Sequence, residues 1–236
     1  MTSPGSPARL QRVARPRLYE QLVEQLVQFI EVQELAQGDR LPPERELADQ
    51  LGVSRATLSQ ALVALEVLGV IDVQHGTGAT IIARPNLAAV MQGFREHSSR
   101  LPDIIEARST LEVKLAALAA ERRTDEDIGR IDQALDLMAS EVADGGRGVS
   151  GDEHFHDAVT RAAHSSVLAK MMGLIQEMVL ESRIESLGQP GRPEQSLRSH
   201  RAIADAIRRG DAAGAAAAMG HHIEVVSDVA LLKDQA

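Results

Sequence analysis

The apolar residues of this 236-residue chain change their period near residue 85, and this limits the possible folds more than any other feature. Upstream, Leu18, Leu22, Leu26 and Ile30 recur every four residues with Tyr19 and Val23 beside them, the spacing of an amphipathic helix. Gly38-Asp39 and Pro42-Pro43 then break the chain. Pro43 can open a second helix from Glu44 to Leu51, Gly52-Val53 makes a turn, and Ser54 caps a third helix running to about Leu68. The run Val70 to Gln74, the tip His75-Gly76-Thr77-Gly78 and the run Ala79 to Ile82 read as a two-stranded hairpin. Downstream every apolar pattern is helical. Arg84-Pro85-Asn86 marks the boundary, because Pro85 disfavours helix at Arg84 and Asn86 can cap the next helix.

The expected fold is therefore mainly α, with a winged helix-turn-helix over residues 17–85 and an all-helical bundle of six to seven helices over 86–236. The helical spans expected in the second half are 86–97, 101–122, 125–143, 151–164, 166–187, 193–209 and 211–232. Residues 1–16 read as a disordered basic tail, holding Pro4, Pro7 and Pro16 with Arg9, Arg12 and Arg15 but no apolar core. They do not have the form of a signal peptide. No stretch approaches the roughly 20 apolar residues that span a bilayer, so no membrane partner is expected and the chain reads as cytoplasmic.

Composition removes several functions. There is no Cys, which excludes disulfides, thiolate nucleophiles, iron–sulfur clusters and zinc fingers. Aromatics make up 2% of the chain, too few for stacking single-stranded bases. The net charge of −9 argues against a basic coat for nucleic acid. That charge is unevenly held. Residues 1–85 carry 8 Arg against 10 acids, net −2, which leaves −7 for the helical half.

Within the first half, Ala48 is the small residue that lets two helices cross closely, and Gly52 supplies a positive φ four residues later. Leu47, Leu51, Val53, Leu58, Ala61, Leu62 and Leu65 would fill the core between them. The outward residues at the start of the third helix are Arg55, Ala56, Thr57, Ser59 and Gln60, in the part of a recognition helix that reaches base edges. Arg pairs bidentately with guanine, while Thr57 and Ser59 suit phosphates. A generic helical hairpin with a solvated Arg has the same Ala/Gly spacing. The glycine-tipped hairpin after it favours the DNA-reading alternative.

Leu41-Pro42-Pro43-Glu44-Arg45-Glu46-Leu47-Ala48, with Leu51-Gly52-Val53-Ser54-Arg55 and Gln74-His75-Gly76-Thr77-Gly78, closely resembles the N-terminal domain of GntR-family transcription regulators over about residues 17–83. The resemblance implies DNA contacts from Arg45, Arg55, His75 and Gly76. One departure is visible: members commonly have Arg-Glu where this chain has Ser59-Gln60, so one DNA-contacting arginine is missing.

Seven of the eight histidines lie in the helical half. Asp152 and His156 are four apart and share one helical face. His200 sits among Leu197, Ile203 and Ile207, and His222 among Met219, Ile223 and Val226. Three imidazoles and a carboxylate can bind a divalent transition metal. Each histidine also has a plainer reading as a hydrogen-bonded core residue, and the Asp/His pair as a surface pair. His154 and His221 point elsewhere on their helices, and His97 and His164 read as structural or solvated.

Asp152-Glu153-His154-Phe155-His156, Ser199-His200-Arg201-Ala202-Ile203, Met219-Gly220-His221-His222-Ile223 and Arg108-Ser109-Thr110-Leu111-Glu112 resemble signature stretches of the FadR-type C-terminal domain, FCD. The resemblance implies metal ligation by Asp152, His156, His200 and His222, with zinc first and nickel or manganese as alternatives. It also implies a carboxylate-gripping role for Arg108. The alternative for Arg108 is an ion pair with Glu106 or Glu112. The function expected is a homodimeric, metabolite-responsive regulator, a repressor, that binds a pseudo-palindromic double-stranded operator and releases it in response to a small carboxylate. An enzyme is not expected; the weighed alternatives are a metal-dependent enzyme acting on a small organic acid, with Glu153 as its available base, and a purely structural metal.

Overall fold

The computed structural model describes residues 18–74 and 78–227. The first half contains α1 (Leu18–Val32), α2 (Glu44–Leu51), α3 (Arg55–Val67), β1 (Ile71–Gln74) and β2 (Gly78–Ile81). Leu22, Val23, Leu26, Val27 and Ile30 form the buried stripe of α1 and meet Leu47, Leu58, Leu62, Leu65, Ile71 and Ile81 in one core. Gly52 closes α2 in the left-handed conformation at φ 66°, and Ser54 caps α3 by accepting the Thr57 backbone N–H. The turn and cap expected from the sequence are both present. The strands pair antiparallel in the register Ile71↔Ile81 to Gln74↔Gly78. Arg40 bridges Thr80, and Leu41 N–H donates to the Ala79 carbonyl, so the segment before α2 adds a short third row that the sequence pattern does not signal.

The second half contains α4 (Leu87–Arg122), α5 (Asp125–Ala143), α6 (Val149–Ala162), α7 (Ser166–Leu174), α8 (Gln176–Leu187), α9 (Arg192–Arg209) and α10 (Ala212–Ser227). The chain is mainly α, as expected. Two helix boundaries differ from the expected ones. A break between residues 97 and 101 is absent: α4 runs through Pro102 for 36 residues, about 54 Å at 1.5 Å per residue. Its two ends lie in different cores, with Val90 packed among the first-half residues and Ala116, Ala119 and Ala120 among the second. Packing along both ends sustains a helix whose local sequence invites a stop. The single span 166–187 instead divides at Ile175, separating α7, which has no buried residue, from α8, which buries Val179, Ser182, Arg183, Glu185, Ser186 and Leu187.

The two halves touch. Gln60 Nε2 donates to Gln189 Oε1 at 3.1 Å, Arg147 pairs with Glu66, and Val63 packs on Gly188. The DNA-reading candidate α3 thus rests against the segment that leaves α8. No helix among the described residues is long and apolar enough to cross a membrane.

Candidate metal centre and DNA-reading surface

Three helices of the second half aim polar side chains at one buried chamber. Asp152 and His156 come from α6, His200 from α9 and His222 from α10. The close approach of α6 to α5 helps place the first pair. A Cβ on Gly151 would lie 2.3 Å from the Met138 Cα and N, so only glycine fits one residue before Asp152. One ring nitrogen from each of His156, His200 and His222 lies within 4.8 Å of the others. Asp152 Oδ1 is 3.5 Å from His200 Nε2, and Oδ2 is 4.0 Å from His156 Nε2. Phe155 lies nearly parallel to the His200 ring, centroids 4.2 Å apart, and limits how that ring can turn.

The chamber is short of partners. Asp152 Oδ2, His156 Nε2, both ring nitrogens of His200 and His222 Nε2 are buried and make no hydrogen bond with any described residue. An unsatisfied buried polar group costs about 1–3 kcal/mol, so this many in one place need a common partner. A cation satisfies nitrogen and carboxylate lone pairs together, and the donor set of three imidazoles and one carboxylate fits a transition metal.

Burial also keeps the rings in the ligating form. It pushes His200 down to about 3, and it lowers His222 and His156, the latter helped by the positive Arg183. A neutral imidazole offers a lone pair; a protonated one does not. His156 Nδ1 donates to Glu112 Oε2 at 2.6 Å, which orients the ring and leaves Nε2 facing the chamber. Burial alone would raise the Glu112 carboxyl, but Arg108 and His156 outweigh it and hold the group well below the usual range.

Arg108 is fully buried beside this chamber and already engaged. Its Nε donates to Glu112 Oε1 at 2.6 Å and its Nη1 to Ser182 Oγ at 3.1 Å. Of the two acids that the spacing offered, Glu112 is the partner; Glu106 is exposed. A second arginine, Arg183 of α8, also reaches the chamber, with Nε 3.3 Å from Asp152 Oδ2. Sequence reasoning singled out neither Arg183 nor the orienting role of Glu112. Glu112 closes the Arg108–Glu112 stretch that resembles the FCD signature; Arg183 sits on a helix whose apolar pattern says nothing about its partner.

The remaining described histidines lie apart from the cluster. His154 Nδ1 donates to the Ser150 carbonyl, His164 pairs with Asp127, and His221 is exposed near Glu224. His97 is buried, its two ring nitrogens 3.1 and 3.0 Å from Glu181 and Glu185 of α8. Glu153, the candidate base of the enzyme alternative, is held by Gln176.

On the first half, Arg45 near the start of α2 and Arg55 at the start of α3 are exposed, and neither forms a hydrogen bond or ion pair with another described residue. Ser59 is half-buried one turn beyond Arg55. Thr57 is half-buried too, with its hydroxyl 2.7 Å from that of the capping Ser54. His75 and Gly76 lie outside the described residues.

A helix-turn-helix with a two-stranded wing, joined to a helical domain with a buried cluster of histidines, is the architecture of a class, the one-chain transcription regulators. Residues 18–81 match the family described as "Bacterial regulatory proteins, gntR family", and residues 103–225 match the FCD domain. The chain belongs to the GntR family of transcription regulators, with an FCD domain as its helical half. Among relatives, the HTH-type transcriptional regulator LutR of Bacillus subtilis is 32% identical over 208 residues, 83% of this chain and 93% of its own. The Uxu operon transcriptional regulator of Escherichia coli is 32% identical over 211 residues, 80% of this chain and 77% of its own. The transcriptional repressor NanR of Cronobacter sakazakii is 28% identical over 229 residues, 91% of this chain and 85% of its own. Domains and relatives alike indicate a DNA-binding regulator and not an enzyme.

Proposed function

We propose that this chain is a metal-dependent, carboxylate-responsive repressor that acts in the cytoplasm as a homodimer on a pseudo-palindromic operator. The observation that carries the metal reading is the set of buried, unpartnered donors on Asp152, His156, His200 and His222. Zinc suits such a nitrogen-rich set best, with nickel or manganese as the other candidates. A bound divalent ion supplies open coordination positions that a carboxylate can fill. Around it, Glu112 orients His156, Phe155 limits His200, and the surrounding apolar core excludes water.

Residues 17–85 act as the DNA-binding unit and 86–236 as the sensing and dimerising unit. Arg45 and Arg55, with Thr57, Ser59, His75 and Gly76, serve the operator. Exposed, unengaged guanidiniums at two helix starts support that role. A repressor direction is supported by the name of one relative, NanR. Two-fold symmetry is supported by α7, where Val167, Met171 and Leu174 form an exposed apolar stripe at helical spacing, while the half-buried Leu168 and Met172 pack that helix against Leu115, Leu118 and Ala163. The route from chamber to DNA is α8: it carries Ser182 and Arg183 at one end of the path and leads into Gly188 and Gln189 against α3 at the other.

The test is a melting and operator-binding series on full-length protein, chelated and then reloaded with zinc. One zinc per chain, a higher melting temperature on loading, and loss of both in His200→Ala are expected. Small carboxylates should weaken operator binding only in the zinc-loaded form. If chelation lowers the melting temperature yet leaves the carboxylate response intact, the metal is structural and the sensing role of the chamber is wrong.

A further inference from the structure

We propose that Arg183 is the carboxylate anchor of the metal chamber and that the ligand read there is a small dicarboxylate. This rests on the reading of the chamber as a metal-dependent carboxylate sensor and names the ligand class. The two arginines of the chamber differ in what they have left to give. Arg108 is committed to Glu112 and Ser182 through Nε and Nη1, and its role there is to hold Glu112 against His156. Arg183 is only 6% exposed. Its one ion pair among the described residues is the 3.3 Å approach of Nε to Asp152 Oδ2, an atom that itself has no hydrogen bond. It makes no hydrogen bond with any described residue. A guanidinium is a planar fork of donors built for two parallel bonds to a carboxylate, and taking it out of water with only a single off-axis contact is costly. A ligand carboxylate supplies what the fork lacks.

Charge sets the second group. With neutral imidazoles, Arg108 and Arg183 balance Glu112 and Asp152, so the chamber is neutral before the metal and +2 once a divalent ion is bound. A monocarboxylate leaves one uncompensated buried charge, whereas a dicarboxylate leaves none. Arg183 and the metal ligand Asp152 are in direct contact, so the arginine and the ion face the same small space. One carboxylate on the fork and the other on the metal's open positions fits a short chain between them. Because Arg183 lies on α8 beside Ser182, the same ligand would draw on the helix that leads to α3.

Calorimetry on zinc-loaded, full-length protein would compare malonate and succinate with acetate and butyrate, in wild type, Arg183→Gln and Arg183→Lys. Zinc affinity is measured in parallel by competition with a chromophoric chelator. In wild type one of the dicarboxylates should bind roughly tenfold or more tightly than either monocarboxylate. Arg183→Gln should abolish that preference with zinc affinity intact, and Arg183→Lys, a point charge without the fork, should restore part of it. Equal affinity for the two classes in wild type overturns the proposal without needing any variant to fold. So does retention of the preference in zinc-loaded Arg183→Gln. Failure of wild type to bind zinc would instead overturn the sensor reading beneath it.

Discussion

His200 has no exposed surface and neither of its ring nitrogens is paired, an arrangement that a closed protein core does not ordinarily tolerate. The same residue reads in the sequence as a plain core histidine among Leu197, Ile203 and Ile207. What separates the two readings is the company it keeps, since His156, His222 and Asp152 each leave one buried polar atom without a hydrogen bond among the described residues. In the proposed metal centre Glu112 acts through His156, whose ring it orients. Glu112→Gln keeps the shape but weakens the acceptor that orients His156 and leaves Arg108 without its counter-charge. Zinc affinity should fall by roughly 10–100-fold, as removal of such an orienting partner typically costs, read by chelator competition. At the other end of the molecule, Arg55 is exposed and unengaged at the first turn of α3. Arg55→Ala should cost about 1–3 kcal/mol of operator binding in a gel-shift or anisotropy titration, while zinc affinity stays as in wild type. An unchanged gel shift would remove α3 as the reading helix.

At the level of elements, α4 and α8 are tied by His97 and the two acids it bridges. Burial alone would lower the His97 pKa, but hydrogen bonds to Glu185 and Glu181 and their charges outweigh it and raise the value above 6.5. Arg100 also approaches Glu181, at 3.8 Å. Because the folded value lies above the unfolded one, the stabilisation is complete below about pH 6.5 and is lost as pH rises through the folded value. Melting temperature should therefore decline as pH is raised from about 6.5, and His97→Gln should flatten that decline. The helices themselves were largely legible. Periodicity, the Ser54 and Asn86 caps and the turn at Gly52 are local effects, and the structure shows each of them. Two errors had one cause. Residues 98–100 look like a break but are spanned by α4, because its ends are held in two cores; residues 166–187 look continuous but divide at Ile175, because α8 buries six residues whereas α7 packs through the half-buried Leu168 and Met172. In both cases packing overrode local propensity.

On the scale of the whole molecule, the negative charge and the apolar stripe on α7 point to how the chain is used. Most of the acidic surplus belongs to the helical half, which agrees with the proposed reading of DNA by a few placed arginines, for which a basic average is unnecessary. If Val167, Met171 and Leu174 meet their counterparts in a second copy, Val167→Glu with Leu174→Glu should shift the protein to monomers in sedimentation velocity. Operator affinity should fall with it, because two half-sites are then no longer read by one particle. A dimer that persists in that variant places the two-fold contact elsewhere.

The sequence by itself determined the elements, the winged helix-turn-helix and the residue types available for ligation, because caps, turn glycines and apolar periods act over a few residues. It also excluded thiolate chemistry outright. Only the tertiary structure decided that Asp152, His156, His200 and His222 meet, that Glu112 is the partner of Arg108 and His156, and that Arg183 enters the same chamber. Spacing of three or four residues relates side chains on one helix. Convergence of side chains from five helices depends on how those helices pack, down to the missing Cβ at Gly151 that lets α6 lie against α5.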